Sequence, residues 1–142
     1  MAAELLINID VPDLEAATRF YVEVLELRVG RRLGGAAIEL LGAAVPIYLL
    51  LKAEGSAALP HSSGSARGKT ERSYHRHWTP VHIDISVTDI DRARDRALLA
   101  GARAEGPVSD HAWGRMALMA DPFGHGFCLL QFNADGYDAI AG

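Results

Sequence analysis

The stretch Thr79-Pro-Val-His-Ile-Asp-Ile-Ser-Val-Thr-Asp89, followed by Ile90-Asp-Arg-Ala-Arg-Asp-Arg-Ala97, decides the fold. Apolar residues alternate from Val81 to Val87, the period of a strand covered on one face. Asp89 then reads as an N-cap, and Ile90, Ala93, Ala97 and Leu98 recur at helical spacing as a buried stripe. A near-copy begins at Leu5. Val81, Ile83, Ile85, Val87, Asp89, Ile90 and Ala93 fall on Leu5, Ile7, Ile9, Val11, Asp13, Leu14 and Ala17. The chemistry departs most at one position, where His82 faces Leu6.

Each copy continues in the same way. After the first helix, whose stripe is Leu14, Ala17, Tyr21 and Leu25, residues 27–32 and 36–41 read as a hairpin around Leu33-Gly-Gly35, and residues 46–52 as a last strand. In the second copy Gly101 suits the position just past the helix, where a positive φ is needed. Residues 103–108 and 114–120 read as strands joined by the loop Ser109-Asp-His-Ala-Trp113. Asp121-Pro-Phe-Gly-His125 is a turn, residues 127–132 close the unit, and residues 134–142 form a short polar tail. The expectation is an α+β protein of two βαβββ modules in a single domain: 1–55, a connector 56–78, and 79–133. The connector carries Arg67, Lys69, Arg72 and Arg76 against Glu71 alone. It reads as a solvated loop, a lid or a partner-contacting arm.

Composition narrows the function classes. The chain has 142 residues, 49% hydrophobic, with a net charge of −4, which supplies a core but not the basic face of a nucleic-acid binder. A single cysteine permits no internal disulfide, and the N-terminus reads without a leader, so the expected home is the cytoplasm. Glu39, Gly42 and Pro46 interrupt the most apolar region, so no membrane span is expected.

Arg19-Phe-Tyr-Val-Glu-Val-Leu25 ending the first helix, and Asp121-Pro-Phe-Gly124 before the last strand, complete a pattern over residues 4–133 that resembles the vicinal oxygen chelate superfamily. That group takes in glyoxalase I, bleomycin-resistance proteins and extradiol dioxygenases. The resemblance implies paired modules whose sheets form a curved wall around a cavity, commonly in a homodimer. It also implies a divalent metal held from the first and last strands of the modules, positions that here carry Leu6, Tyr48, His82 and Cys128. Leu6 has no donor, and among the four only His82 is a conventional ligand for a hard ion. No cofactor is therefore expected with the family's full ligand set, although a divalent ion held through His82 is conceivable with help from His75, His77 or Glu39.

Without a metal, His82 and Asp84 share a strand face and form a proton-transfer pair, with Tyr48 as a hydrogen-bond donor. The same histidine could instead be hydrogen-bonded within a polar cavity wall. Asn8, Trp113, Arg115, Phe123 and Cys128 are the candidate ligand contacts. Trp113 would stack on a flat ligand or serve as a rim aromatic, Arg115 would pair with an anion, and Cys128 reads as a buried strand thiol. Two functions follow: a glyoxalase-like lyase or isomerase acting on a small organic substrate, or a metal-free binding protein that sequesters a drug.

Overall fold

The computed structural model describes residues 1–59 and 70–142. Part of the expected connector, residues 60–69, lies outside the described residues. The chain divides into two compact units, Met1–His75 and Arg76–Gly142.

Unit 1 runs β1 (Ile7–Val11), α1 (Leu14–Leu25), β2 (Arg28–Leu33), β3 (Ala37–Leu41) and β4 (Ile47–Leu51). Its sheet has the order β1-β4-β3-β2, with β1 parallel to β4 and the other pairs antiparallel. Asp13 starts α1 by accepting from the Ala16 amide at 3.0 Å, as an N-cap should. The buried face of α1 centres on Ala17, Phe20, Tyr21 and Val24, while Leu14 and Leu25 sit half-buried at its margins. Val11, Ile38, Leu40, Ile47 and Leu49 supply the buried positions of the sheet. Burying side chains of this size stabilises by about 1.5–3 kcal/mol each.

Most described connector residues are exposed, as expected of a solvated loop, but a few side chains are held. Arg72 meets Asp10 at 2.8 Å with its side chain 17% exposed, and the Tyr74 hydroxyl donates to the Lys52 carbonyl. Ala57 and Glu71 form an isolated antiparallel bridge.

Unit 2 repeats the topology. It runs β5 (Ile83–Ser86), α2 (Ile90–Leu99), β6 (Arg103–Ala104), β7 (Ser109–His111), β8 (Gly114–Ala120) and β9 (Gly126–Phe132), then a 3-10 helix at Gly136–Ile140. The sheet order β5-β9-β8-β6 matches β1-β4-β3-β2 position for position, with β7 added on β8. Asp89 caps α2 through the Arg92 amide, and Gln131 Oε1 accepts from the Ile90 amide at 2.8 Å. Ile90, Ala93 and Ala97 are buried, but Leu98, expected in the stripe, is 37% exposed.

Several local expectations need correction: the first strand of each module starts two residues later than expected, at Ile7 and Ile83, which leaves Leu5, Leu6, Val81 and His82 outside the strands and Leu5 and Val81 exposed. Residues 109–111, read as a loop, form a strand paired to β8; residues 105–108, read as strand, do not; and the tail contains a helical turn. The tight β7–β8 connection depends on Gly114. Its φ is +147°, and a Cβ there would lie 2.1 Å from the Gln131 carbonyl oxygen. No helix among the described residues is long and apolar enough to cross a membrane.

Candidate functional site

The parallel pairing of β5 with β9 places Asp84 opposite Cys128. His82 lies one residue ahead of β5, and its side chain turns toward Asp84. Its Nε2 lies 3.1 Å from Asp84 Oδ1, with the two side chains 50% and 42% exposed. Donor atoms of His82, Asp84 and Cys128 all lie within 4.8 Å of one another. Burial first, then the adjacent Asp84 carboxylate, pushes the Cys128 thiol up to about 11. At neutral pH it is a protonated thiol, not a nucleophile.

His82 and Cys128 border a small cleft of about 120 Å³ in unit 2, and Asp84 stands behind His82 outside its lining. His82 and Cys128 form one wall, Met119 and Phe127 contribute apolar lining, and Trp78 and Arg76 also border it. Arg76 is held by Glu105 through two bonds of 2.6 and 2.7 Å, and this contact keeps the Glu105 carboxyl below the usual carboxylate range. Arg76 crosses so close to Gly126 that a Cβ there would sit 2.7 Å from Nη2. His77, also at the cleft, has its Nε2 3.0 Å from His125 Nδ1. The turn bearing His125 is fixed by fully buried Asp121, whose Oδ1 accepts from the Phe123 and His125 amides at 2.8 Å each.

In unit 1 the register places equivalent to Asp84 and Cys128 are held by Asn8 and Tyr48. Asn8 is exposed. The Tyr48 hydroxyl donates to Glu39 Oε2 at 2.8 Å and accepts from Arg31. Arg31 also grips Glu39 with contacts of 3.0 and 2.5 Å and a backbone amide bond. Arg31, then Tyr48, hold the Glu39 carboxyl down at about 2. Gly30 leaves room beside it, since a Cβ there would come within 2.6 Å of Glu39 Oε1 and push that carboxylate aside.

The other expected contacts lie elsewhere in unit 2. Trp113 stacks on His111 with centroids 4.9 Å apart, and also touches Phe132 and Tyr137. Arg115 is paired with Asp91 at 2.8 Å and Asp110 at 3.4 Å. Phe123 is buried at 7% exposure. None of these three borders the cleft. Sequence reasoning overlooked Trp78, Arg76 and Glu105. The one available signal was an indole and a guanidinium immediately before the repeated strand.

Residues 6–130 match the family described as glyoxalase-like domain. The chain belongs to that family, within the vicinal oxygen chelate superfamily. An uncharacterized protein of Mycobacterium bovis is 34% identical to this glyoxalase-like chain over 125 residues, covering 85% of it and 78% of the relative. A Mycobacterium tuberculosis relative shows the same identity over 69% of its own length. Among solved structures, the fosfomycin resistance protein FosX of Listeria monocytogenes is 18% identical, with a TM-score of 0.67 and coverage of 95% of this chain and 97% of FosX. Lactoylglutathione lyase of Agrobacterium tumefaciens is 16% identical, with a TM-score of 0.59 and coverage of 92% and 94%. At such identities the likeness establishes the fold of this glyoxalase-like chain.

Proposed function

We propose that this glyoxalase-like chain is a lyase or isomerase that moves a proton on a small organic substrate whose reacting end enters the cleft of unit 2. The observation that carries this reading is the 3.1 Å pair of His82 and Asp84 beside that cleft. An imidazole, with an ordinary pKa of about 6.5, accepts and returns protons at neutral pH. A carboxylate that accepts from one ring nitrogen fixes the tautomer and stabilises the imidazolium formed when the other nitrogen takes a proton. Met119 and Phe127 give the cleft an apolar side against which the carbon skeleton of a substrate can rest. A volume of about 120 Å³ suits a reacting group rather than a whole drug-sized ligand, whose sites run to about 300–1,000 Å³.

The superfamily's hard divalent ion does not suit the donors present. Leu6 carries none, Glu39 is committed to Arg31 and Tyr48, and a thiol stands at 128. No step of the proposed reaction runs through such an ion. Tyr48 belongs to unit 1, where its hydroxyl donates to Glu39, and the proposed step assigns it no part. Arg115 would have to leave Asp91 to bind an anionic ligand. A cytoplasmic homodimer belongs to the same proposal.

A second reading rests on Trp78, which borders the cleft at 79% exposure and offers an indole face to a flat or cationic ligand. That surface suits sequestration. Fosfomycin and lactoylglutathione, the compounds in two neighbours' names, are the first probes. Turnover of either by wild type, lost in His82→Gln, supports proton transfer. Ligand-induced thermal shifts without turnover favour sequestration instead. Turnover unchanged in His82→Gln refutes the role of this histidine.

A further inference from the structure

We propose that Arg76 anchors an oxyanion of the substrate, so that the cleft of unit 2 takes molecules carrying a carboxylate or a phosphonate close to the reacting carbon. The anchor rests on the proton-transfer reading, which makes this cleft the substrate site, and adds a substrate class to it. Arg76 borders the cleft together with His82. Its guanidinium is fixed before any ligand arrives. Nε and Nη2 donate to the two oxygens of Glu105 at 2.7 and 2.6 Å, and Nη1 donates to the His77 carbonyl. The same group lies over Gly126, where a Cβ would come 2.7 Å from Nη2 and 3.1 Å from Cζ and Nη1. A glycine at the start of β9 is what gives the guanidinium its seat.

A guanidinium carries five N–H donors. Three are spent on Glu105 and the His77 carbonyl, which leaves one on each terminal nitrogen. Two N–H groups on one planar cation match two oxygens of a carboxylate or phosphonate, and such charge-assisted bonds are about twice as strong as neutral ones. The rest of the lining suits the same charge. Glu105 is the one carboxylate among the described lining residues, and it is committed to Arg76. His77 and His82 contribute imidazoles, so an incoming anion meets no uncommitted negative group in the lining. Arg115, the anchor expected from the sequence, is instead paired with Asp91 and Asp110 and stands outside the cleft. Because the cleft is only about 120 Å³, a group held at Arg76 keeps the adjoining carbons near His82.

Relaxation of ligand methyl protons, read by NMR with the full-length protein, tests the anchor without any reaction. Acetate and methylphosphonate are the charged probes, and acetamide and dimethyl methylphosphonate are their neutral counterparts. An anion should bind at least about 10-fold more tightly than its neutral counterpart, and the tighter of the two anions names the substrate's head group. Arg76→Gln should weaken anion binding by about 10–100-fold. Arg76→Lys should weaken it less, because the ammonium keeps the charge but loses the planar pair of donors. Gly126→Ala leaves every charge in place, displaces the guanidinium from its seat, and should weaken binding as well. Circular dichroism checks that the variants fold, and Arg76→Lys and Gly126→Ala still decide the matter if Arg76→Gln fails. Neutral probes that bind as tightly as the anions would overturn the proposal. So would anion affinity unchanged in Arg76→Gln, or in both of the other variants, or neither anion binding below about 10 mM. The two readings fail separately. Anion binding without turnover or hydrogen exchange leaves the anchor and sinks proton transfer, whereas equal exchange on charged and neutral substrates does the reverse.

Discussion

Asp84 and Cys128 are directly paired residues on adjacent parallel strands, and the carboxylate helps hold the thiol in its protonated form. In chelator-treated protein, with the Cys128 pKa at about 11 against an ordinary 9.0, the thiolate fraction at neutral pH is on the order of 100-fold below that of a free cysteine. Iodoacetamide should therefore modify native protein slowly and unfolded protein quickly. A raised thiol pKa stabilises the fold at pH values below 9.0, and that contribution disappears as pH climbs through about 11. Native alkylation as fast as in urea would contradict this environment.

Glu39 predicts acid sensitivity. Its carboxyl sits at about 2 against an ordinary 4.5, chiefly through the Arg31 and Tyr48 hydrogen bonds. A depressed carboxyl pKa stabilises the fold fully above 4.5 and loses that contribution as pH falls through about 2. Melting temperatures of wild type and Glu39→Gln should differ at pH 6 and converge toward pH 2. A gap that does not narrow would mean the charge on Glu39 contributes nothing.

Asp121 predicts the stability of the turn carrying His125. It is fully buried and holds two backbone amides. Asp121→Ala leaves both donors without this acceptor and should cost on the order of 2–4 kcal/mol in urea unfolding. A loss under 0.5 kcal/mol would show that another group takes its place.

Gly114 predicts the hairpin of β7 and β8. Gly114→Ala places a methyl against the Gln131 carbonyl at a positive φ, and should destabilise by more than about 1 kcal/mol while releasing Trp113 from its stack on His111. Unchanged tryptophan fluorescence together with an unchanged melting temperature would argue against that strained turn.

The repeat was legible because its signals are local. Strand alternation and the caps Asp13 and Asp89 lie within a few residues of what they organise. The same period put His82 beside Asp84, and the family resemblance singled out Cys128, but the pairing of Asp84 with Cys128 came only from the sheet register. Partners across the fold were not. Arg76 finds Glu105, and Arg72 finds Asp10, through contacts between residues far apart in sequence that no periodicity encodes. Glu39 looked like an available carboxylate, because an irregular register between Val29 and Arg32 hides which residue of β2 reaches it. Ser109, Asp110 and His111 are poor strand formers, and β7 forms only by pairing with β8 across the short turn at residues 112–113. Phe123 was read as a ligand contact from its place in a turn, but Asp121 holds that turn inward.

The proton itself offers the sharpest test of His82. S-lactoylglutathione incubated with the protein in heavy water has one hydrogen on the carbon beside the thioester carbonyl, and proton NMR reads its exchange for deuterium. If His82 takes and returns that proton, wild type washes the signal out, His82→Gln slows the exchange by about 100-fold or more, and Asp84→Asn slows it less. Exchange by wild type that persists at full rate in His82→Gln would contradict the assignment of proton transfer to this pair.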